Sequence, residues 1–143
     1  MAGAALVSIV APEAEIHAER ELLQGTWRSI SGRREAEFII AGYLFAVHFT
    51  DGEVYMGAFQ LNPRARPKTI DMRIDEGPVH HRGKIAHCIY EVDGDTLRWC
   101  AAEPGTEELL SHFPSIYDTR HLSLIFQRQQ PRGAKGGTPK VDG

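Results

Sequence analysis

The sequence predicts an all-β fold: an eight-stranded antiparallel up-and-down barrel, with a short N-terminal helix and a long lid-like loop before the last strand. Three observations predict it. Short runs rich in β-branched and aromatic residues recur at regular spacing, bounded by Gly, Pro and Asp clusters. Two Asp-Gly pairs, Asp51-Gly52 and Asp93-Gly94, sit between apolar runs and read as hairpin turns. No long helical pattern separates the runs, which argues against parallel βαβ units. Closure into a ring leaves no exposed edge. A two-sheet sandwich has much the same pattern and is the structural alternative.

Residues 1–20 form a leader, in which 14–23 (AEIHAERELL) are good helix formers, enough for about two turns that plug or cover one end of the barrel. The barrel domain spans 21–128. Its strands are read at 25–31, 35–40, 43–50, 53–61, 69–74, 85–92, 96–101 and 121–128. The loop over 103–120 is long for a hairpin connection, and its Leu109, Leu110, Phe113, Ile116 and Tyr117 suggest a packed lid over the barrel mouth. Residues 129–143 are rich in Gly, Pro and Lys, a composition that cannot repay the entropy of ordering, so a disordered tail is expected.

Bulk properties narrow the function classes. The chain has 143 residues, 42% of them hydrophobic and 24% charged, with a net charge of −3. That is one ordinary globular domain. Basic and acidic residues are interspersed, so the basic stripe that nucleic acid needs is missing. No stretch approaches a membrane span, and the apolar run at 4–11 has no Lys or Arg before it, as a secretory signal requires. These features predict a cytoplasmic protein. Cys88 and Cys100 make no disulfide framework.

Strand alternation assigns the faces. Tyr55, Gly57, Phe59 and Leu61 face in. A two-residue turn at Asp51-Gly52 pairs Thr50 with Glu53 and puts His48 opposite Tyr55, also inward. A two-residue turn at Asp93-Gly94 pairs Val92 with Asp95, Cys88 with Trp99 and Tyr90 with Leu97, with Glu91 and Arg98 outward. Cys88 then faces in and Cys100 out. Ile70, Met72, Ile74, Leu122, Leu124 and Phe126 complete the inner face. The resulting ligand-binding lining is His48, Tyr55, Phe59, Met72, Cys88, Tyr90, Leu97, Trp99, Leu122 and Leu124, together with Phe38. It is mostly apolar with a few polar points, as small-molecule pockets are.

Gly25-Thr26-Trp27 is a Gly-x-Trp at the head of the first strand. It resembles the opening motif of the lipocalins and their calycin relatives. That resemblance implies a Trp packed across the closed end of the barrel under an Arg from the last strand, here Arg128. Further segments are similar to a small group of lipocalin-like domains common in planctomycetes, often called sigma-factor-associated domains. These are residues 23–27 (LQGTW), 57–63 (GAFQLNP), 67–72 (PKTIDM) and 89–100 (IYEVDGDTLRWC). The likeness spans about residues 22–128. Two segments depart from it: 41–48 (AGYLFAVH) is more apolar than expected, and 109–117 (LLSHFPSIY) is richer in aromatics. The resemblance implies the fold and no particular activity.

Candidate sites compete with plainer readings. Paired inside the cavity, His48 and Tyr55 would exchange hydrogen bonds or a proton with a ligand; the plain reading is two barrel side chains satisfied by each other or by water. His48, Tyr55 and Tyr90 are the catalytic candidates, each needing reach to the reacting atom. His80-His81, with His87 nearby, has the donor type for Zn, Cu or Ni. Adjacent histidines point apart in an extended chain, so a solvated loop is favoured and no metal is assigned. Cys88 lacks a visible activating partner and reads as a small buried hydrophobe. Asp93 and Asp95 are explained by the turn rather than by calcium. His112 lies in the long loop. Trp27 and Arg128 are structural.

Three functions follow, in this order. The first is binding of a small apolar or amphipathic molecule in the cavity. The second is a metal-independent barrel enzyme, of cyclase or isomerase type, on a hydrophobic substrate. The third is an interaction module with a filled barrel. None calls for a cofactor. The expected partner is a small hydrophobic molecule, and the chain is read as a monomer or a homodimer, the latter if the apolar segment at 4–10 adds an edge strand to a neighbour.

Overall fold

A computed structural model of the chain describes residues 11–115 and 118–130. The leader at 1–10, the tail beyond 130, and Ile116 and Tyr117 lie outside the described residues. So do the expected edge-strand pairing and most of the expected disordered tail.

The eight strands form a closed antiparallel barrel in sequence order. They are β1 (Gly25–Gly32), β2 (Ala36–Ala41), β3 (Leu44–Phe49), β4 (Val54–Asn62), β5 (Lys68–Glu76), β6 (Ile85–Asp93), β7 (Thr96–Ala101) and β8 (Leu122–Gln129). β8 pairs with β1 to close the ring, so no strand is left with an open edge. The sandwich alternative is thereby set aside.

Among the described residues one helix, α1 (Glu13–Leu23), precedes β1. Glu13 and Glu15 in its first turn and Arg20 in its last oppose the helix dipole. α1 closes one end of the barrel. Leu23 is buried in the core, and its carbonyl accepts a 2.9 Å hydrogen bond from Trp27 Nε1. The Arg128 guanidinium lies 4.2 Å from the Trp27 ring. Arg128 also donates to the carbonyls of Leu22 and Gln24 and to Asp95. The expected seal is therefore present.

Above this seal the barrel is filled. Phe38, Trp99 and Phe126 meet edge to face with ring centroids 5.5–6.2 Å apart. Phe59, Leu97 and Leu124 are buried beside them. The filled half is a solid core, and any void must lie at the other end.

Both hairpin registers differ from the sequence reading. At the first, Phe49 N–H donates to Glu53 O and the loop is Thr50-Asp51-Gly52, three residues long, with Gly52 at φ 103°. Only Gly is at ease there. The extra residue shifts the pairing by one, so Val47 lies opposite Tyr55 and His48 opposite Val54. His48 therefore points outward and is exposed. A one-residue slip flips every side chain of a strand. At the second hairpin the turn is Gly94-Asp95, and Asp93 pairs with Thr96. Tyr90 then faces Trp99, and Cys88 faces Ala101. This slip is by two residues, so the faces survive: Cys88, Tyr90, Leu97 and Trp99 are all inside.

The long loop before β8 runs partly along the outer wall. Phe113 lies under the Arg98 guanidinium at 4.0 Å, on the outward side of β7. Cys100 also points outward, yet it is wholly buried. Leu109 is exposed. The two ends of the loop, at Pro104 and at 119–121, reach the open end of the barrel.

Candidate functional site

The open end contains a cavity of about 320 Å³, within the size range of small-molecule sites. Its apolar wall comes from Phe45, Val47 and Phe49 of β3, Met72 and Ile74 of β5, and Trp99 and Leu122 of β7 and β8. Its rim carries Arg33, Arg34, His81, Glu103, Arg120 and His121, and Tyr55 stands on its wall.

Tyr55 leads a hydrogen-bonded chain. Its Oη lies 2.8 Å from His81 Nδ1, and His81 Nε2 lies 2.7 Å from Glu103 Oε2. The carboxylate can only accept, so Nε2 carries the proton. In the neutral imidazole Nδ1 is then a lone pair, and Tyr55 O–H donates to it. The phenol keeps two oxygen lone pairs for the cavity. Burial, and then the negative charge of Glu53, push the Tyr55 phenol above its ordinary value; Arg34 opposes this.

The fold brings these groups together through one tight turn. Pro78 O accepts from the amides of both His81 and Arg82, and Gly83 N–H donates to Ile74 O. The chain at 78–84 is therefore coiled rather than extended. The His80 and His81 rings meet at 4.1 Å, tilted by 44°, and His81 turns in towards Tyr55. The sequence reading assumed an extended loop and so left His81 in solvent.

The rim is held by ion pairs. Arg34 bridges Asp51 and Glu53 at 2.8 and 2.9 Å while lying 3.5 Å over the Phe49 ring. His121 is buried between Glu108 and Asp118, at 3.0 and 3.1 Å. Its carbonyl accepts from Arg33. The Arg120 amide and then His121 hold the Asp118 carboxyl below its usual range.

Of the expected ligand residues, Tyr55, Met72, Trp99 and Leu122 line the cavity. Phe59, Cys88, Leu97 and Leu124 are buried in the core and do not line it. Tyr90 is at the closed end, where its hydroxyl donates to Glu19 Oε2 at 2.8 Å. Lys68 Nζ reaches the same oxygen at 2.9 Å. Burial and Glu19 push the Tyr90 phenol far up, so it is a structural donor rather than a catalytic candidate. Burial likewise raises the Cys88 thiol well above its usual range, and its Sγ rests 3.7 Å from Met72 Sδ. The buried Trp99 indole N–H is directed at Cys88 and slightly offsets that rise.

His81, Glu103, Phe45, Val47 and Phe49 were not anticipated. Alternation alone would have found the three β3 residues once the loop was counted as three residues. Nothing local in the sequence joins His81 to Glu103. Among the described residues no group of three or more His, Cys, Asp or Glu is placed to hold a metal ion. No helix among them is long and apolar enough to cross a membrane. No family model, curated protein or solved structure matches the chain.

Proposed function

We propose that this barrel binds a small amphipathic molecule at its open end. One observation carries the reading: an apolar cavity and a hydrogen-bonding phenol share one mouth. The ligand's apolar body would lie against Phe45, Val47, Met72 and Trp99, and its polar group would meet Tyr55. Ligand sites commonly have this make-up. Two free thiols and no disulfide suit a reducing compartment, and we place the protein in the cytoplasm.

The test is titration with 8-anilinonaphthalene-1-sulfonate, an apolar body with an anionic head. Wild type should bind it, and Ala86→Trp, which fills the cavity from β6, should lose at least about tenfold in affinity, about 1.4 kcal/mol. Ala46→Trp, at an outward-facing position of β3 between the lining residues Phe45 and Val47, should not change it. Equal binding by all three, with native circular dichroism, would sink the reading.

A second reading, a metal-independent barrel enzyme on a hydrophobic substrate, is favoured by the chain from Glu103 through His81 to Tyr55.

A further inference from the structure

We infer that residues 5–10 of the leader cover the outer face of β3 and β4 in their own chain. The inference is independent of the cavity.

The outer wall of the barrel is uneven. Several strands carry charge at outward positions: Arg28 on β1, Asp71 and Arg73 on β5, Glu91 on β6 and Arg98 on β7. Across β2, β3 and β4, by contrast, two successive cross-strand rows are wholly apolar. One is Ile39, Ala46 and Met56; the other is Ala41, Leu44 and Ala58. Leu44 is 60% exposed and Met56 44%. Glu37 and His48 border the rows on one side, and Arg73 on another. Single exposed apolar residues are ordinary, but a contiguous apolar face marks a surface that something covers. The closed ring has no edge to which a ninth strand could add, so the occupant must pack through side chains.

The chain itself supplies a matching segment. Residues 1–10 (MAGAALVSIV) have no charged side chain and include Leu6, Val7, Ile9 and Val10. They join α1 beside the face, because Glu13 and Ile16 line one groove with Tyr43 and Ala58. Pro12 has extended dihedrals (φ −63°, ψ 156°), so the chain leaves the helix axis there, and Ala11 is already buried. Six residues reach up to about 20 Å. The two apolar rows are two residues apart along each strand, about 7 Å. The tether keeps the segment near the face at a roughly millimolar effective concentration. A second copy of the chain would have to give up its free motion to reach the same place. An uncharged segment on an apolar face also buries no unpaired charge.

The experiment uses the full chain, labelled with ¹⁵N and carrying a nitroxide on His48→Cys. His48 is exposed at the border of the face, and the two native cysteines are buried. The amide signals of Val7 and Ile9 should lose most of their intensity. With the nitroxide on Gln127→Cys instead, exposed on β8, they should keep it. Adding Met56→Asp to the His48→Cys chain should restore the Val7 and Ile9 signals, and adding Ile9→Asp should restore that of Val7, while the signals of the barrel stay in place. The inference is overturned if the His48→Cys nitroxide leaves the leader signals intact, or if neither aspartate relieves the broadening. A mixture of nitroxide-bearing chains without ¹⁵N and ¹⁵N chains without nitroxide should show no broadening. Broadening in that mixture, with a dimer in sedimentation, would assign the face to a second copy and overturn the inference too.

Discussion

Arg128 joins three parts of the chain through one side chain. It covers the Trp27 indole, donates to carbonyls at the end of α1 and pairs with Asp95 in the β6–β7 turn. A fork of fixed donors can do this; a lysine ammonium is a single point. Arg128→Leu should therefore lower the unfolding free energy by about 1–3 kcal/mol, since it removes the ring contact together with the hydrogen bonds to the Leu22 and Gln24 carbonyls. Arg128→Lys should recover less than half of that loss. Urea denaturation of the two variants checks both, and equal stability of Leu, Lys and wild type would show the seal to be decorative. The same end of the barrel holds Glu19, kept buried by Tyr90 and Lys68. That pair shows why Tyr90, though inward, has no free hydroxyl for a ligand.

At the scale of elements, loop length decided what was legible. The existence of every strand could be read from composition and turn residues, because β-branched runs and Asp-Gly pairs act locally. Arg128 over Trp27 was legible because the resemblance carried by Gly25-Thr26-Trp27 implies an arginine from the last strand at the same sealed end. His48 was misplaced because a two-residue and a three-residue loop share the same Asp-Gly signal, and one residue inverts a strand. His81 was missed because its turn is set by Pro78 and Gly83 through backbone bonds that composition does not reveal. The corrected register makes a direct prediction. His48→Ala should change stability by less than about 0.5 kcal/mol, whereas Val47→Ala should cost about 2 kcal/mol, as buried truncations do. Thermal melts of the two variants should rank in that order; the reverse order would restore the two-residue turn. β5 leaves no room for a side chain at Gly57 of β4, where an added Cβ would come within 1.8 Å of the Arg73 carbonyl oxygen. Backbone cannot give way there cheaply. Gly57→Ala should therefore destabilise by about 2–4 kcal/mol, a test of the β4–β5 register at Met56/Gly57.

The whole molecule is a barrel packed solid at its sealed end and hollow at its open one. That division also places its ionisable groups. Cys88 and Tyr90 sit in the solid half, where burial holds both in the protonated form. Unfolding would return them to ordinary values, at about pH 8.5 for a thiol and about 10 for a phenol. Above those values the unfolded chain has lost protons that the native barrel keeps. The unfolded state then binds fewer protons than the native one, so stability falls as pH rises, by about 1.4 kcal/mol per pH unit for each group. The contribution is fully present below pH 8 and is lost on the alkaline side only. Urea denaturation at pH 7.5, 9 and 10 should show this decline. Cys88→Ala should be less stable than wild type at pH 7.5 because it opens a small void, yet its stability should fall less steeply between pH 9 and 10. Parallel pH slopes in the two proteins would mean that Cys88 ionises freely in the folded state, against the burial that raises its thiol.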